Sequence, residues 1–280
     1  MKTGVVDAGG GMRGIYGAGV FDYCMDRDLW FDLAIGVSAG SANTASYLAR
    51  QRGRNYTFYT EYARRKEYMS AGNLLTKGSY IDLDYVYGTL SNTGGEDPLD
   101  YGAMMDNPSQ LLVVAANALT GSVQYFDKSD LKQDAYDIFK ASSAIPFVCR
   151  PWEINGMPYY DGGIGDPVPV EKAFRCGCDK VVVILTRPAD RPRGPGKDSF
   201  FADRIQRKYP FAAKKLRSRV ARYNESVALA KKYQAEGRAL ILAPDDMCGM
   251  STLTRDRGAM IRFYNKGYQD ARRITDFLAR

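Results

Sequence analysis

Histidine is absent from this chain of 280 residues. The side chain that most often takes a proton from a nucleophilic hydroxyl is therefore missing. A serine nucleophile would have to rely on a carboxylate, a lysine or another group as its base. Long apolar runs are absent as well, since no stretch approaches the ~18 residues that a membrane-spanning helix needs. The sequence thus excludes histidine-based catalysis and predicts no spanning helix.

Cysteine is scarce and scattered. An odd number of cysteines is unlike the disulfide framework of a small secreted domain, so we expect reduced thiols. The Cys176-Gly177-Cys178 pair has no second close pair and no histidine to complete the usual four-ligand zinc site. We therefore expect no metal, and the chemistry considered below requires no organic cofactor. The five cysteines are Cys24, Cys149, Cys176, Cys178 and Cys248.

The first ten residues, MKTGVVDAGG, lack the pattern of a secretory signal. One lysine is followed by only three or four residues of strand-like apolar character, too few for the ~7 to 15 residue core of such a signal. We predict a cytoplasmic location, with peripheral contact at the inner membrane face as an added hypothesis.

That hypothesis rests on a concentration of positive charge. The net charge is +7, and eight basic residues with no acidic one lie between positions 204 and 222. A solvated surface helix is the ordinary explanation; the alternative is attraction to anionic phospholipids, at around 1 kcal/mol per basic residue. Nucleic-acid binding is not expected, because no recognised motif is present. The eight residues are Arg204, Arg207, Lys208, Lys214, Lys215, Arg217, Arg219 and Arg222.

Apolar strand-like segments alternate with segments of helical periodicity. This alternation favours an α/β fold, a three-layer sandwich around a mainly parallel central sheet. The predicted strands are residues 3–7, 30–37, 111–116, 123–126, 181–186 and 240–243, and the first two predicted helices are residues 15–27 and 39–50.

The stretch AIGVSAGSAN carries a candidate nucleophile. Ser38 lies between a predicted strand and a predicted helix, flanked by Gly36 and Gly40. A serine on such a tight turn exposes its hydroxyl, although serine is also a preferred N-cap residue. We interpret Ser38 as the nucleophile and the two glycines as residues that permit the turn.

A glycine loop, residues 9–14, precedes the first predicted helix. It also fits a dinucleotide-binding fingerprint, but that fingerprint needs an acidic residue at the carboxyl end of the second strand. Ser38 occupies that end, and Asp32 lies at the wrong one. Because neighbouring parallel strands present these ends side by side, we expect backbone amides to face Ser38 and hold an oxyanion. The predicted donors are Gly9, Gly10, Gly11, Met12 and Ala39, with Arg13 and Gly14 in support.

Asp161 is the candidate base. It follows a short strand-like stretch and precedes Gly162 and Gly163, which allow a tight turn. A carboxylate with an ordinary pKa near ~3.9 is a weak base, so this role needs a desolvated site. Aspartate before glycine is also common in plain turns, and Asp166 is interpreted as shaping the turn before Pro167.

Three motifs in this order, GGGMRG (9–14), GVSAG (36–40) and DGG (161–163), resemble those of patatin-like phospholipases. Residues 141–163 also resemble that family's stretch before its aspartate. The resemblance implies a patatin-like fold and hydrolysis of a lipid or other acyl ester by Ser38 and Asp161 through an acyl-enzyme. It also implies that the glycine loop is the oxyanion hole.

The domain organisation follows from the extent of that resemblance. Residues 1–190 would form the patatin-like catalytic core, and residues 191–280 a C-terminal extension of helices and a strand packed on it as part of the same globular unit. Residues 70–108 have weak periodicity and form either a lid or binding loop or a variable surface insertion.

Two other functions remain open. An acyltransferase or thioesterase would use the same acyl-enzyme and differ only in what attacks it second. A non-catalytic lipid-binding regulator would keep the fold, and the presence of both Ser38 and Asp161 argues against it.

Overall fold

A computed structural model of the chain describes residues 1–279. The strands in that range belong to one sheet of eight. They are β1 Thr3–Asp7, β2 Leu33–Val37, β3 Gln110–Asn117, β4 Val123–Phe126, β5 Trp152–Ile154, β6 Met157–Asp161, β7 Lys180–Ile184 and β8 Ala239–Leu242.

Helices cover both faces of this sheet. A π-helical turn, Tyr85–Leu90, and short 3-10 turns, among them Gly11–Gly14 and Gly162–Ile164, lie between them. The α-helices are α1 Ile15–Asp26, α2 Ala39–Leu48, α3 Arg54–Thr60, α4 Ala71–Lys77, α5 Tyr101–Asp106, α6 Asp137–Ser143, α7 Val170–Arg175, α8 Asp198–Ile205, α9 Pro210–Arg217, α10 Arg219–Ala235, α11 Arg257–Asp270 and α12 Arg273–Ala279.

The two faces of the sheet form two separate cores, because successive side chains of a strand point in opposite directions. Val5 belongs to the core that contains α1, α2 and α11. Its neighbour Val6 belongs to the core that contains α7 and α10. Both residues are fully buried. This arrangement confirms the predicted three-layer α/β sandwich.

The centre of the sheet is parallel, as predicted, and one side of it is antiparallel. Strands β3, β2, β1, β7 and β8 run parallel in that order. Strands β4 and β6 pair with β3 in the opposite direction, and β5 forms a hairpin with β6. The sequence analysis indicated strand character before Asp161 but not β5, whose three residues are too short to show a period.

Strand β3 has different partners on its two edges. One edge pairs with β4. The other edge pairs with β2 as far as Val114 and with β6 from Ala115 onward, where the partner is Asp161. The ends of β2 and β6 are therefore neighbours along one edge of β3. Ser38, which follows β2 directly, is thereby placed beside Asp161.

The helical spacing expected after Pro210 is interrupted. The chain forms α9, leaves the helix at Ser218, and continues as α10. Leu216 packs in a small third core, whereas Val227 and Ala230 pack against the sheet. The spacing expected over the last part of the chain is likewise divided into α11 and α12.

The long excursion at residues 70–108 is built from α4, the π-helical turn and α5. Several of its apolar side chains, including Ile81, Leu83 and Val86, line a cavity that reaches Ser38. None of the helices in residues 1–279 combines the length and the apolar character that crossing a bilayer requires.

Candidate active site

Ser38 occupies a sharp turn between β2 and α2. Its backbone has φ 56° and ψ −130°, a conformation that is rare for a residue with a side chain. The turn is possible because helix and strand approach closely at Gly40, where a Cβ atom would lie 2.3 Å from the carbonyl oxygen of Asp7. Gly36 packs in the same way against Ser41. The structure therefore supplies the geometry of a nucleophile elbow.

The glycine loop is held against this turn. Gly9, Gly10 and Gly11 have φ angles of 61°, 133° and 61°, which side-chain-bearing residues rarely adopt. A Cβ atom on Gly9 would lie 2.1 Å from the carbonyl oxygen of Val37, so only glycine permits this approach. The Thr186 hydroxyl donates a hydrogen bond of 2.6 Å to the carbonyl oxygen of Gly9 and holds the loop from its other side.

Two of the five predicted oxyanion donors are already occupied. The Gly9 amide donates to the Asp7 carboxyl at 2.9 Å, and the Met12 amide donates to the carbonyl oxygen of Thr252 at 3.0 Å. Neither amide is free to bind a substrate oxygen. The prediction for Gly9 and Met12 is thus corrected, because both amides serve to fix the loop.

The other three donors are free. Within residues 1–279, the amides of Gly10, Gly11 and Ala39 donate no hydrogen bond. Ala39 is the first residue of α2, where an unpaired amide is expected and the helix dipole favours negative charge. These amides leave a site at Ser38 that can accept an anionic oxygen.

Asp7 supports the glycine loop from below, a role that the sequence analysis missed. Its buried carboxyl accepts hydrogen bonds from the Gly9 amide and, at 2.8 Å, from the Asn43 side chain. Asn43 also donates to the carbonyl oxygen of Gly14 at 2.8 Å. Burial raises the pKa of Asp7 to about 6, against the opposing hydrogen bonds from Asn43 and Gly9. In the sequence, the only sign of this role was an acidic residue two positions before the glycine loop.

Asp161 ends β6 and begins the turn formed by Gly162 and Gly163. One of its carboxyl oxygens accepts a hydrogen bond of 2.7 Å from the Gly163 amide. Burial raises the pKa of Asp161, and the nearby Ser38 side chain, the Gly163 amide, Arg219 and Arg193 oppose this in smaller measure. The desolvated site that a carboxylate base requires is therefore present.

The Ser38 and Asp161 side chains are neighbours. Ser38 is close enough to lower the pKa of the Asp161 carboxyl, yet the two groups do not meet in a hydrogen bond of ordinary geometry. Ser142 of α6, which the sequence analysis missed, accepts a hydrogen bond of 2.9 Å from the Ser38 amide and braces the turn.

Arg13 is buried beside the glycine loop. Its guanidinium donates to the Thr252 hydroxyl at 2.9 Å, and its Nε is buried without a partner. Burial, with smaller contributions from Arg187 and Arg193, lowers the pKa of Arg13 to about 9. The predicted positive charge is thus present, and two more arginines share its surroundings.

Two cavities meet at Ser38. The first is lined largely by apolar side chains of the 70–108 excursion and of α3. The second contains Asp161 and the glycine loop together with Arg13 and arginines from the C-terminal third of the chain. Ser38 and Gly11 line both cavities, so a substrate could extend into both from a reacting carbon at Ser38.

The predicted basic segment does not form one surface. Arg219 lines the second cavity and pairs with the buried carboxyl of Asp198. Arg222 donates to the carbonyl oxygens of Lys215 and Ile164, next to the Asp161 turn. These two arginines are therefore removed from the predicted membrane-facing set. The side chains that remain exposed are Arg204, Arg207, Lys208, Lys214 and Arg217, and Lys215 is half-buried.

Comparisons of the sequence with protein families find two matches. A family described as "Patatin-like phospholipase" matches residues 5–174. A domain of unknown function, DUF6363, matches residues 209–279. The first match contains all three motifs and covers more than half of the chain.

Known relatives agree with this match. The uncharacterized protein YjjU of Escherichia coli is 33% identical over 193 residues, which are 67% of this chain and 53% of YjjU. Lysophospholipase NTE1 of Saccharomyces cerevisiae is 27% identical over 191 residues, which are 67% of this chain and 11% of NTE1. The chain thus matches about half the length of YjjU and a small part of NTE1.

A solved structure shares the fold. The crystal structure of VipD from Legionella pneumophila superposes on 98% of this chain and 67% of its own, with a TM-score of 0.50 and 15% sequence identity. At this identity the similarity concerns the fold alone.

Proposed function

This chain belongs to the patatin-like phospholipase family, and on that premise we propose that it hydrolyses an acyl ester of a lipid by means of Ser38 and Asp161. One observation carries the proposal. A serine on a strained turn lies beside a desolvated carboxylate, and three residues whose amides donate no hydrogen bond line the cavities around it. This combination provides a nucleophile, a base and an oxyanion site without histidine.

The first half of the reaction forms an acyl-enzyme. The Ser38 hydroxyl oxygen attacks the ester carbonyl carbon while its proton passes to the Asp161 carboxylate. The amides of Gly10, Gly11 and Ala39 hold the resulting oxyanion. When the tetrahedral intermediate collapses, the carbon–oxygen bond to the alcohol breaks and Asp161 returns the proton to the leaving oxygen.

The second half releases the acyl group. Water attacks the ester carbon on Ser38 and gives a proton to Asp161. Collapse then breaks the bond to Ser38, whose oxygen regains the proton, and a carboxylic acid leaves. Burial supports this role of Asp161, because a raised pKa makes its ionised form a stronger base than an exposed carboxylate.

The test of this proposal is hydrolysis of p-nitrophenyl esters and of lysophospholipids by the wild type, together with labelling by a fluorophosphonate. We expect activity with both substrates and a single label on the peptide that contains Ser38. A wild type that neither hydrolyses esters nor takes the label would favour the non-catalytic regulator. Faster acyl transfer to added alcohol or thiol than to water would favour an acyltransferase.

We propose that the C-terminal extension is part of the same unit. Thr252 bonds both the glycine loop and Arg13. In the core that contains α1 and α11, the Tyr16 hydroxyl of α1 donates to Asp270 of α11 at 2.7 Å. Residues 1–190 would then lack a complete site when produced alone.

We propose further that the exposed basic residues and a nearby aromatic face contact anionic membrane. We define the aromatic face as Phe147 and Phe200, which are 48% and 46% exposed and whose ring centroids lie 5.9 Å apart. Arg204 lies over the Phe200 ring at 4.5 Å. Large aromatic side chains next to basic ones are typical of a surface that binds a bilayer interface.

Vesicle sedimentation tests this contact. Vesicles of phosphatidylglycerol and phosphatidylcholine should bind the wild type, and binding should fall as salt increases. Replacing Arg207, Lys208 and Lys214 by glutamine should weaken binding at least about tenfold. The matched control replaces the exposed Lys231 and Lys232. Binding that depends on neither salt nor anionic lipid would contradict the proposal.

A further inference from the structure

Four arginines line the cavity that contains Asp161. Arg13 comes from the glycine loop, Arg187 from the segment after β7, Arg193 from the following loop, and Arg219 from the start of α10. They are close enough to act on one another, since Arg187 and Arg193 lower the pKa of Arg13. Burial and Arg219 lower the pKa of Arg193 to about 10.

Two carboxylates, Asp198 and Asp161, face this group, and together they cannot neutralise four guanidinium groups. Asp198 contacts Arg219 through both of its oxygens and approaches Arg193 at 3.8 Å. Within residues 1–279, Arg187 forms no ion pair and donates no side-chain hydrogen bond, and the buried Nε of Arg13 has no partner. A buried cationic donor without a partner, such as the Arg13 Nε, is costly, and the half-buried Arg187 has no counter-ion in the described part of the chain. The cavity is therefore suited to an anion.

The cluster is also held in place before any ligand arrives. The Asn224 side chain accepts a hydrogen bond from the Arg193 amide at 2.8 Å and donates one to its carbonyl oxygen at 3.1 Å. The Arg193 guanidinium lies over the Tyr223 ring at 5.7 Å. Because Asn224 holds both the amide and the carbonyl of Arg193, the backbone at this position does not need to be ordered on binding.

The position of the arginine cluster indicates which part of the substrate it would contact. Ser38 lies between the arginine-lined cavity and the apolar cavity. An acyl chain suits the apolar cavity, so the alcohol part of the ester would enter the arginine-lined one. Guanidinium groups bind phosphate through charge-assisted hydrogen bonds.

Resting on the proposed function, we propose that Arg187, Arg193 and Arg219, with Arg13, bind the phosphate of an acyl ester whose headgroup is anionic. A headgroup with a quaternary ammonium would place a further positive charge among four arginines and is disfavoured. Arg187 and Arg193 lie outside both family matches, and Arg219 lies within the DUF6363 match, residues 209–279. Three of the four arginines are therefore not part of the patatin-like match.

The test compares two substrates with the same acyl chain, lysophosphatidate and monoacylglycerol. We expect the wild type to prefer lysophosphatidate, measured as the ratio of the two kcat/KM values. Arg187→Gln should lower that ratio about tenfold, and Arg187→Lys should restore part of it. The matched control is Arg191→Gln, an exposed position four residues along the chain, which should keep the wild-type ratio. Lysophosphatidylcholine should be a poorer substrate than lysophosphatidate.

The outcomes separate this inference from the proposed function. Equal ratios in the wild type and Arg187→Gln, with both substrates hydrolysed, would overturn the inference and leave the function standing. A wild type inactive on every ester would overturn the function instead, and thermal shift with glycerol 3-phosphate would then report the site directly. Stabilisation by inorganic phosphate that depends on Arg187, with no preference for lysophosphatidate, would identify a free-phosphate site and overturn the headgroup assignment.

Discussion

Replacing Ser38 by alanine is expected to lower kcat/KM for p-nitrophenyl esters by about 10⁴-fold or more, because an alanine cannot form the acyl-enzyme. The fold should persist. The Ser38 hydroxyl donates no hydrogen bond in the structure, and the turn is held by backbone contacts to Ser142 and Ser41. Steady-state hydrolysis, with circular dichroism and thermal unfolding of each variant, measures both effects.

The matched control for this experiment is Ser46→Ala. Ser46 is also buried on α2, but its hydroxyl donates to Asn55 rather than facing Asp161. Activity of that variant should stay within a few-fold of the wild type. If Ser38→Ala kept more than a small fraction of the wild-type rate, the nucleophile would have to be sought elsewhere.

Asp161→Asn is expected to have the second largest effect, a loss of about 10³-fold or more in kcat/KM. The amide keeps the shape of the carboxyl and an oxygen for the Gly163 amide, but it cannot accept a proton. Asp166→Asn is the control, because Asp166 is a half-buried aspartate five residues further along the chain that accepts a hydrogen bond from Tyr125 at 2.6 Å. If Asp161→Asn were active and Ser38→Ala inactive, Ser38 would stand as the nucleophile but Asp161 would not be the base.

The pH profile adds a second measurement to this prediction. Asp161 must be ionised to take a proton, and burial raises its pKa. The kcat/KM of the wild type should therefore fall as pH is lowered through that raised value, above the range of an exposed aspartate. Asp7, with a pKa of about 6, also titrates on the acid side. Comparison with Asp7→Asn separates the two groups.

The raised pKa of Asp161 makes stability depend on pH in the direction opposite to activity. A carboxyl whose pKa is raised by burial binds more protons in the folded state than in the unfolded state. The free energy of unfolding then falls as pH rises from the ordinary aspartate value to the raised one. Ionised Asp161 thus lowers the stability of the fold at neutral pH.

The fold class and the three motifs could be predicted because they are written in short stretches of sequence. Alternating apolar segments indicate layers, and a glycine on each side of Ser38 indicates a turn whatever lies around it. The individual oxyanion donors could not be predicted in full. Gly9 and Met12 looked equivalent to Gly10 and Gly11, and only the positions of Asp7 and Thr252 distinguish them.

The basic segment illustrates the same limit. Eight positive charges between positions 204 and 222 indicate a charged helix. The helix is interrupted at Ser218, however, and Arg219 and Arg222 are partly buried while Arg217 remains at the surface. A periodicity argument assumes one continuous helix and so assigns all of them to one face. The break follows from how α9 and α10 pack against different cores.

The sequence by itself determined the local chemistry of this protein: a strained serine turn, a glycine loop, an aspartate before two glycines, and no histidine. Local backbone preferences suffice for these features. Only the tertiary structure decided which groups meet. Ser38 and Asp161 become neighbours because β2 and β6 share one edge of β3. Arg13 meets Thr252 across 239 residues, because contacts at such separation depend on the packing of the whole chain.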